Sequence, residues 1–255
     1  MLYTTNLFIG LDPSGGRKPF TYAALDQSGR LVALKNGEME DVLAFLAGQP
    51  GALMAVNAPR RPSIGLVRQD KREQNLPPLG ISGRSLDMRL AEHHLRERGI
   101  NIAMTPSRKE FCAHWMVAGF DFYERVEAIG FSPYPTADAS HQWLETNPHA
   151  VFCALLGQLP LARPTIEGRQ QRQLVLYEQG LGIRDPMEFF EEITRHKLLK
   201  GILPLEQIYL AEELDAIAAA YVAYTAASHP ERIGRMGDER EGQISLPVLE
   251  LKAKY

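Results

Sequence analysis

The sequence predicts an α/β protein: a mixed sheet made of an opening meander and later parallel strands, with helices on both faces and extra helices inserted before the last one. Three observations carry this. The chain opens with short apolar and β-branched runs broken by Gly-rich turns, a strand–helix–strand unit follows, and segments with helical spacing fill most of the second half before a closing strand. All of it reads as one domain over residues 1–255, with a basic Pro/Gly-rich arm at 58–84 inserted within it.

The first strand is Leu7-Phe8-Ile9-Gly10-Leu11, which delivers Asp12 into the turn Pro13-Ser14-Gly15-Gly16. "FTYAALDQSG" and "RLVALKNGE" are two further strands, joined at Ser28-Gly29, a dipeptide that suits a hairpin. "MEDVLAFLAGQPG" places Val42, Leu43, Phe45 and Leu46 at helical spacing and stops at Gly48 and Pro50. The continuous apolar run "ALMAVNAP" that follows is a buried strand parallel to the first, reached by a crossover and ended by Pro59.

Residues 60–83 lose periodicity, with Arg60, Arg61, Arg68, Lys71 and Arg72 among few acids, and predict an extended arm. A helix is predicted in "SLDMRLAEHHLRERG", with Ser85 at the start and Gly99 past the end, and another in "SRKEFCAHWMVAGFDFYERVEAIGF", where Ser107 and Glu110 have the spacing of a capping box and Gly130 closes the helix. "HQWLETNP" is a short strand, and a helix spans His149 to Leu156. Helices are also predicted in "EGRQQRQLVLYEQG" and in "DPMEFFEEITRHKLLKG", with Asp185 as N-cap and Pro186 at the first helical position. The last helix carries Leu210, Leu214, Ile217, Tyr221 and Tyr224 on one stripe, with alanines that permit close packing on a sheet. The tail predicts a turn and one terminal strand.

At 255 residues and 45% hydrophobic content the chain can bury a sizeable core. A formal charge of -3 gives no overall attraction to phosphate, so nucleic-acid contact needs a local basic patch. Two distant cysteines, Cys112 and Cys153, suggest neither a disulfide framework nor a zinc site. No basic leader or span of roughly 20 apolar residues is evident, so the expectation is a cytoplasmic protein with no membrane partner.

Asp12, Asn57, Glu145 and Asp215 stand out, because each ends an apolar strand or sits at the start of a buried helix. Parallel strands leave ligand sites at their carboxyl ends, so the first three could converge. Converging carboxylates repel by roughly 4 kcal/mol at about 4 Å and an effective dielectric near 20, unless a proton or cation intervenes. Magnesium or manganese is the natural guest for such oxygen ligands. Plainer readings stand beside these: Asp12 as a turn residue, Glu145 as a surface strand end, Asp215 in a solvated first turn, and the arm as a loop or homodimer contact. A His141–Glu145–His149 metal group is a further reading, weakened by Pro148.

Taken in order, "GLDPSG", "VNAPRRP", "RSLDMRL", "LETNPHAVF", "EGRQQRQLVL", "LDAIAAAYVAYTA" and "GQISLP" resemble the domain of unknown function 429 family, predicted nucleases with a ribonuclease H-like fold. The resemblance implies a metal-dependent nuclease in which Asp12, Glu145 and Asp215 are the active-site acids and, with Asn57, hold magnesium or manganese. Where the family usually carries Asp-x-Pro this chain has Asn57-Ala58-Pro59, which removes a negative charge and weakens the hold on a divalent ion. Charged residues of the family match Arg84, Arg89, Arg169 and Arg172, with Asp87; these arginines, together with Arg60 and Ser14, are candidate contacts to the phosphates of a nucleic acid or nucleotide. Two alternatives remain. One is an ATP-dependent phosphotransferase or ATPase of the actin-like or sugar-kinase type, with phosphate held at Ser14-Gly15-Gly16; the other is a catalytically inactive binding or interaction protein, for which Asn57 argues.

Overall fold

The computed structural model describes residues 7–13, 20–73 and 86–255. One mixed sheet runs through the molecule, in the order β3-β2-β1-β4-β6-β8-β7, with the short β5 paired to β6. The meander is β1 (Leu7–Asp12), β2 (Phe20–Leu25) and β3 (Leu31–Gly37), each antiparallel to the next. Helix α1 (Met39–Ala47) then crosses over to β4 (Ala52–Val56), which lies parallel to β1. Beyond it come β5 (Ser132–Pro133), β6 (His141–Thr146), β7 (Gly234–Asp238) and β8 (Gly242–Leu246); β6 runs parallel to β4 and to β8.

Two apolar layers sandwich the sheet, as the doubly buried strands require. On one face Phe8, Leu53, Ala55 and Leu144 pack with α5 (Pro148–Leu156), α6 (Ile166–Glu178) and α8 (Ala211–Ser228). On the other, Ile9, Leu11, Met54, Val56 and Trp143 pack with α1 and α4 (His114–Ala128). The alanine-rich α8 presses so closely on β1 that a Cβ on Gly10 would fall 1.9 Å from the Ala216 carbonyl oxygen and 2.2 Å from the Ala220 nitrogen. That contact sets the site, because Asp12 follows Gly10 on the same face and Asp215 precedes Ala216.

The structure departs from the sequence-based expectation at several boundaries. The arm is not extended throughout: α2 (Leu66–Glu73) forms within it after Gly65, whose φ is +84°, because Leu66 and Val67 bury themselves. Helix α3 (Leu90–Glu97) starts later than expected, with Arg89 at its N-cap and the Glu92 carboxylate accepting from the Arg89 N–H at 3.2 Å. Ser107 and Glu110 do not cap α4. Ser107 N–H is spent on Asp87 (3.1 Å), residues 109–111 make a single 3-10 turn, and extended backbone at Cys112 delays the helix to His114. Asp185 binds the Met187 N–H at 2.8 Å instead of capping a helix at Pro186, and α7 (Glu188–Leu199) begins two residues further on. The tail is a hairpin of two strands rather than one, since the half-exposed edge strand β7, "GRMGD", carries no β-former signal. Ser14 and Arg84 lie outside the described residues. Among the described residues no helix is long and apolar enough to cross a membrane.

Candidate functional site

Strands β1 and β4 are parallel neighbours with Leu11 level with Val56, so the next residues, Asp12 and Asn57, leave the sheet side by side. The Asn57 N–H donates to the Leu11 carbonyl (2.8 Å), and its side-chain amide donates to Asp12 Oδ1 (2.9 Å). From above, α8 brings Asp215 to the same place. Both carboxylates are buried, Asp12 at 6% and Asp215 at 7% exposure. Between them stands Arg163, from the loop joining α5 and α6. Its Nε and Nη2 donate to Asp215 Oδ2 at 2.7 and 2.6 Å, and Nη2 lies 4.0 Å from Asp12 Oδ2. These groups line a cleft of about 490 Å³ whose other walls include Asn101, Trp115, Asn147 and His149.

Burial pushes the Asp215 carboxyl up from the usual range, and Arg163 and then Arg172 pull it back. Burial works against the Arg163 cation, yet Asp215 and Asp12 hold its pKa above the ordinary value. His149 is pushed down by burial and by Arg172, so the cleft wall presents a neutral imidazole at pH 7. Among the described residues the arrangement is Asp12 and Asp215 sharing Arg163 in a cleft that a third carboxylate, Glu212, also lines, with amides and an indole around it.

Glu145 does not join them. Val56 is level with Glu145 on β6, so Glu145 shares the face of Leu11, Val56 and Trp143, opposite to that of Asp12. There it is 3% exposed and grips Arg89: Nη1 donates to Oε2 at 2.8 Å and Nη2 to Oε1, while the Arg60 N–H donates to Oε2 at 3.2 Å. Arg89 Nε in turn donates to Glu92 Oε1 at 2.9 Å. Burial pushes the Glu145 carboxyl up and Arg89 opposes it, while Glu145 and Glu92 hold Arg89 charged against its own burial, so Arg89 braces these carboxylates rather than standing open to a phosphate as the resemblance implied. Nor do His141 and His149 flank a metal with Glu145: His141 Nε2 meets the Gln49 carbonyl at 2.9 Å. Among the described residues no group of three or more His, Cys, Asp or Glu side chains is gathered to hold a metal ion.

The arginines divide by what consumes their N–H groups. Arg172 is 2% exposed, donates to the Leu161 and Gly168 carbonyls at 2.9 and 2.8 Å and stacks on Phe152. Arg169 donates to the Tyr209 and Ile208 carbonyls at 2.7 and 2.9 Å. Both therefore brace backbone, Arg172 the loop that carries Arg163 and Arg169 the segment leading into α8, rather than standing open to a ligand. Arg60 reaches away from Asp12 to Glu127 (2.9 Å) and over the Trp143 ring. Sequence reasoning missed Arg163 and Trp115 as cleft residues, placed Glu212 only in a solvated first turn, and named His149 only in the metal reading with His141 and Glu145.

Compared with known families, residues 10–241 match the model of the family described as "Protein of unknown function (DUF429)". No curated protein matches the chain.

Proposed function

Because this chain belongs to the DUF429 family, whose description assigns no reaction, the cleft must carry the functional reading, and we propose that it hydrolyses phosphodiester bonds of a nucleic acid or nucleotide with a divalent metal ion. The observation that carries this is the meeting of Asp12 and Asp215, remote in sequence, on the shared cation Arg163 at the carboxyl end of a parallel strand. The order of the sheet, an antiparallel meander continued by parallel strands, is consistent with the ribonuclease H-like fold that the resemblance implies.

The donor set fits one magnesium or manganese ion. Such ions are commonly held by one or two carboxylates, with water and substrate phosphate completing the shell. Asp12 and Asp215 would hold it, and Asn57 would fix the direction of the Asp12 carboxylate by its hydrogen bond. Glu145 does not fit as a ligand, since its oxygens are taken by Arg89 and the Arg60 N–H. When bound, the ion would lower the pKa of an attacking water and take up charge on the phosphate oxygens. Arg163, released from Asp215, would turn its planar fork to a phosphate, a geometry that lysine cannot reproduce. Trp115 offers a ring on which a base can stack.

The test is purified protein with manganese and a panel of single-stranded, duplex and branched substrates. Cleavage that Asp12→Asn abolishes, together with a manganese-dependent rise in Tm that the same variant loses, is expected. No cleavage and no manganese stabilisation of the unmodified protein overturns the hydrolytic reading. Metal-independent nucleic-acid binding that survives Asp12→Asn would replace it with an inactive binding protein, the reading to which the Asn57 amide beside Asp12 lends support.

A further inference from the structure

On the outer edge of β6, β5 pairs with Gln142 and Trp143 while β8 pairs with Glu145 and Thr146. Where those two neighbours part, the edge opens into a depression of about 320 Å³. Among the described residues it shares no lining residue with the Asp12 cleft. Its walls include Arg60, Tyr134, Trp143, Arg235 and Glu239.

Two guanidinium groups are held here against aromatic rings. Arg60 lies 4.9 Å from the centre of the Trp143 ring, and Arg235 lies 5.4 Å from that of Tyr134. The Tyr134 ring is anchored in turn by its hydroxyl, which donates to the Ala226 carbonyl at 2.7 Å. Stacking leaves the edge N–H groups of a guanidinium available and removes much of the side-chain entropy that a ligand would otherwise have to freeze. Arg60 has Glu127 as a partner, whereas Arg235 makes no side-chain hydrogen bond or ion pair among the described residues. A second donor is also unspent: Trp143 is 6% exposed, and among the described residues its buried indole N–H has no hydrogen-bond partner. Of the two carboxylates on the walls, Glu145 is committed to Arg89, which leaves Glu239 as the single opposing charge.

We propose that this depression is a phosphate-binding site, with Arg235 and Arg60 as its cationic walls, separate from the cleft of Asp12 and Asp215. One arginine fork satisfies the two oxygens of a carboxylate, but the several oxygens of a phosphate can engage two arginines supplied by different elements. The site stands on its own residues and does not require the hydrolytic reading.

The chain has two tryptophans, so Trp115→Phe leaves Trp143 as the only indole reporter. The protein carrying that substitution is titrated in EDTA with inorganic phosphate, and separately with an unphosphorylated single-stranded oligonucleotide. A saturable change in Trp143 emission is expected, weakened at least tenfold by Arg235→Ala or by Arg235→Gln and strengthened by Glu239→Gln. Saturation by inorganic phosphate identifies a terminal or free phosphate as the ligand. Saturation by the oligonucleotide alone, with an affinity that falls as salt rises, identifies a phosphodiester backbone. No saturable change with either probe, or equal binding by the Arg235 variants, overturns the proposal. Because no metal is present, failure here leaves the manganese-dependent assay unaffected, and the converse holds as well.

Discussion

Glu145→Gln separates a structural carboxylate from a metal ligand. The substitution keeps one acceptor but removes the charge that faces Arg89 and turns an amide N–H₂ toward a guanidinium that is only 2% exposed. Removing one member of a buried ion pair costs about 3–5 kcal/mol, because the other charge stays behind in a poorly solvated place. Glu92 remains on Arg89 Nε, which puts the expected loss near the low end, about 3 kcal/mol. For a chain of this size that is a fall in Tm of about 6–12 °C. Thermal and urea unfolding measure it directly. The pair Glu145→Met with Arg89→Met should not recover the loss, because it strands the Glu92 carboxylate, 2% exposed, without the cation it shares with Glu145. A Glu145→Gln protein with unaltered Tm that no longer responds to manganese would refute this reasoning and return Glu145 to the metal.

The close approach of α8 to β1 predicts that Gly10→Ala destabilises by about 3 kcal/mol or more, because the added carbon meets helix backbone rather than a side chain that can turn aside; urea unfolding measures the loss, and the manganese-induced Tm shift should fall with it as Asp215 is pushed from Asp12. Glu241 is fully buried and accepts from Ser63 Oγ (2.9 Å), the Ile64 N–H (2.8 Å) and the Leu90 N–H (2.8 Å), so Glu241→Gln, which turns an N–H₂ toward one of these donors, should cost about 1–3 kcal/mol in the same assay. In the turn between β2 and β3, the hydroxyl of Ser28, then the Arg30 and Ser28 N–H groups, hold the Asp26 carboxyl below its usual range. Its folded pKa is depressed, so its contribution is full above the unfolded value of about 3.9 and is lost as pH falls through the folded value. Asp26→Ala should therefore be less stable than the parent at pH 7, with the gap narrowing below about pH 4 when unfolding is followed at both.

Most strand and helix identities were legible because they depend on local pattern: "LFIGL" and "ALMAV" can only be buried strands between turns, and the alanines of α8 announce a helix meant to lie close, whereas α2 and β7 lack such a pattern. The candidate site was half legible for the opposite reason. That Asp12 and Asn57 end adjacent parallel strands follows from the order of elements, but which residue of "WLETN" reaches their side depends on register, and strands buried on both faces show no polar alternation from which to count it. With Val56 level with Glu145, the position on the Asp12 side is Thr146, whose hydroxyl donates to the Ser245 carbonyl at 2.8 Å, and the next residue, Asn147, both caps α5 and lines the cleft. Arg163 carried no signal at all, since it sits in an aperiodic loop, and that loop reaches the cleft through the grip of Arg172 on the Leu161 and Gly168 carbonyls. The same grip explains why residue type misleads for Arg169 and Arg172. A guanidinium near an acid reads as a phosphate contact until its N–H groups are counted, and in these two backbone carbonyls take them up, whereas Arg163 holds only carboxylates that a stronger cation could claim. The arginine with the poorest sequence signal is thus the one that, among the described residues, pairs with the cleft carboxylates.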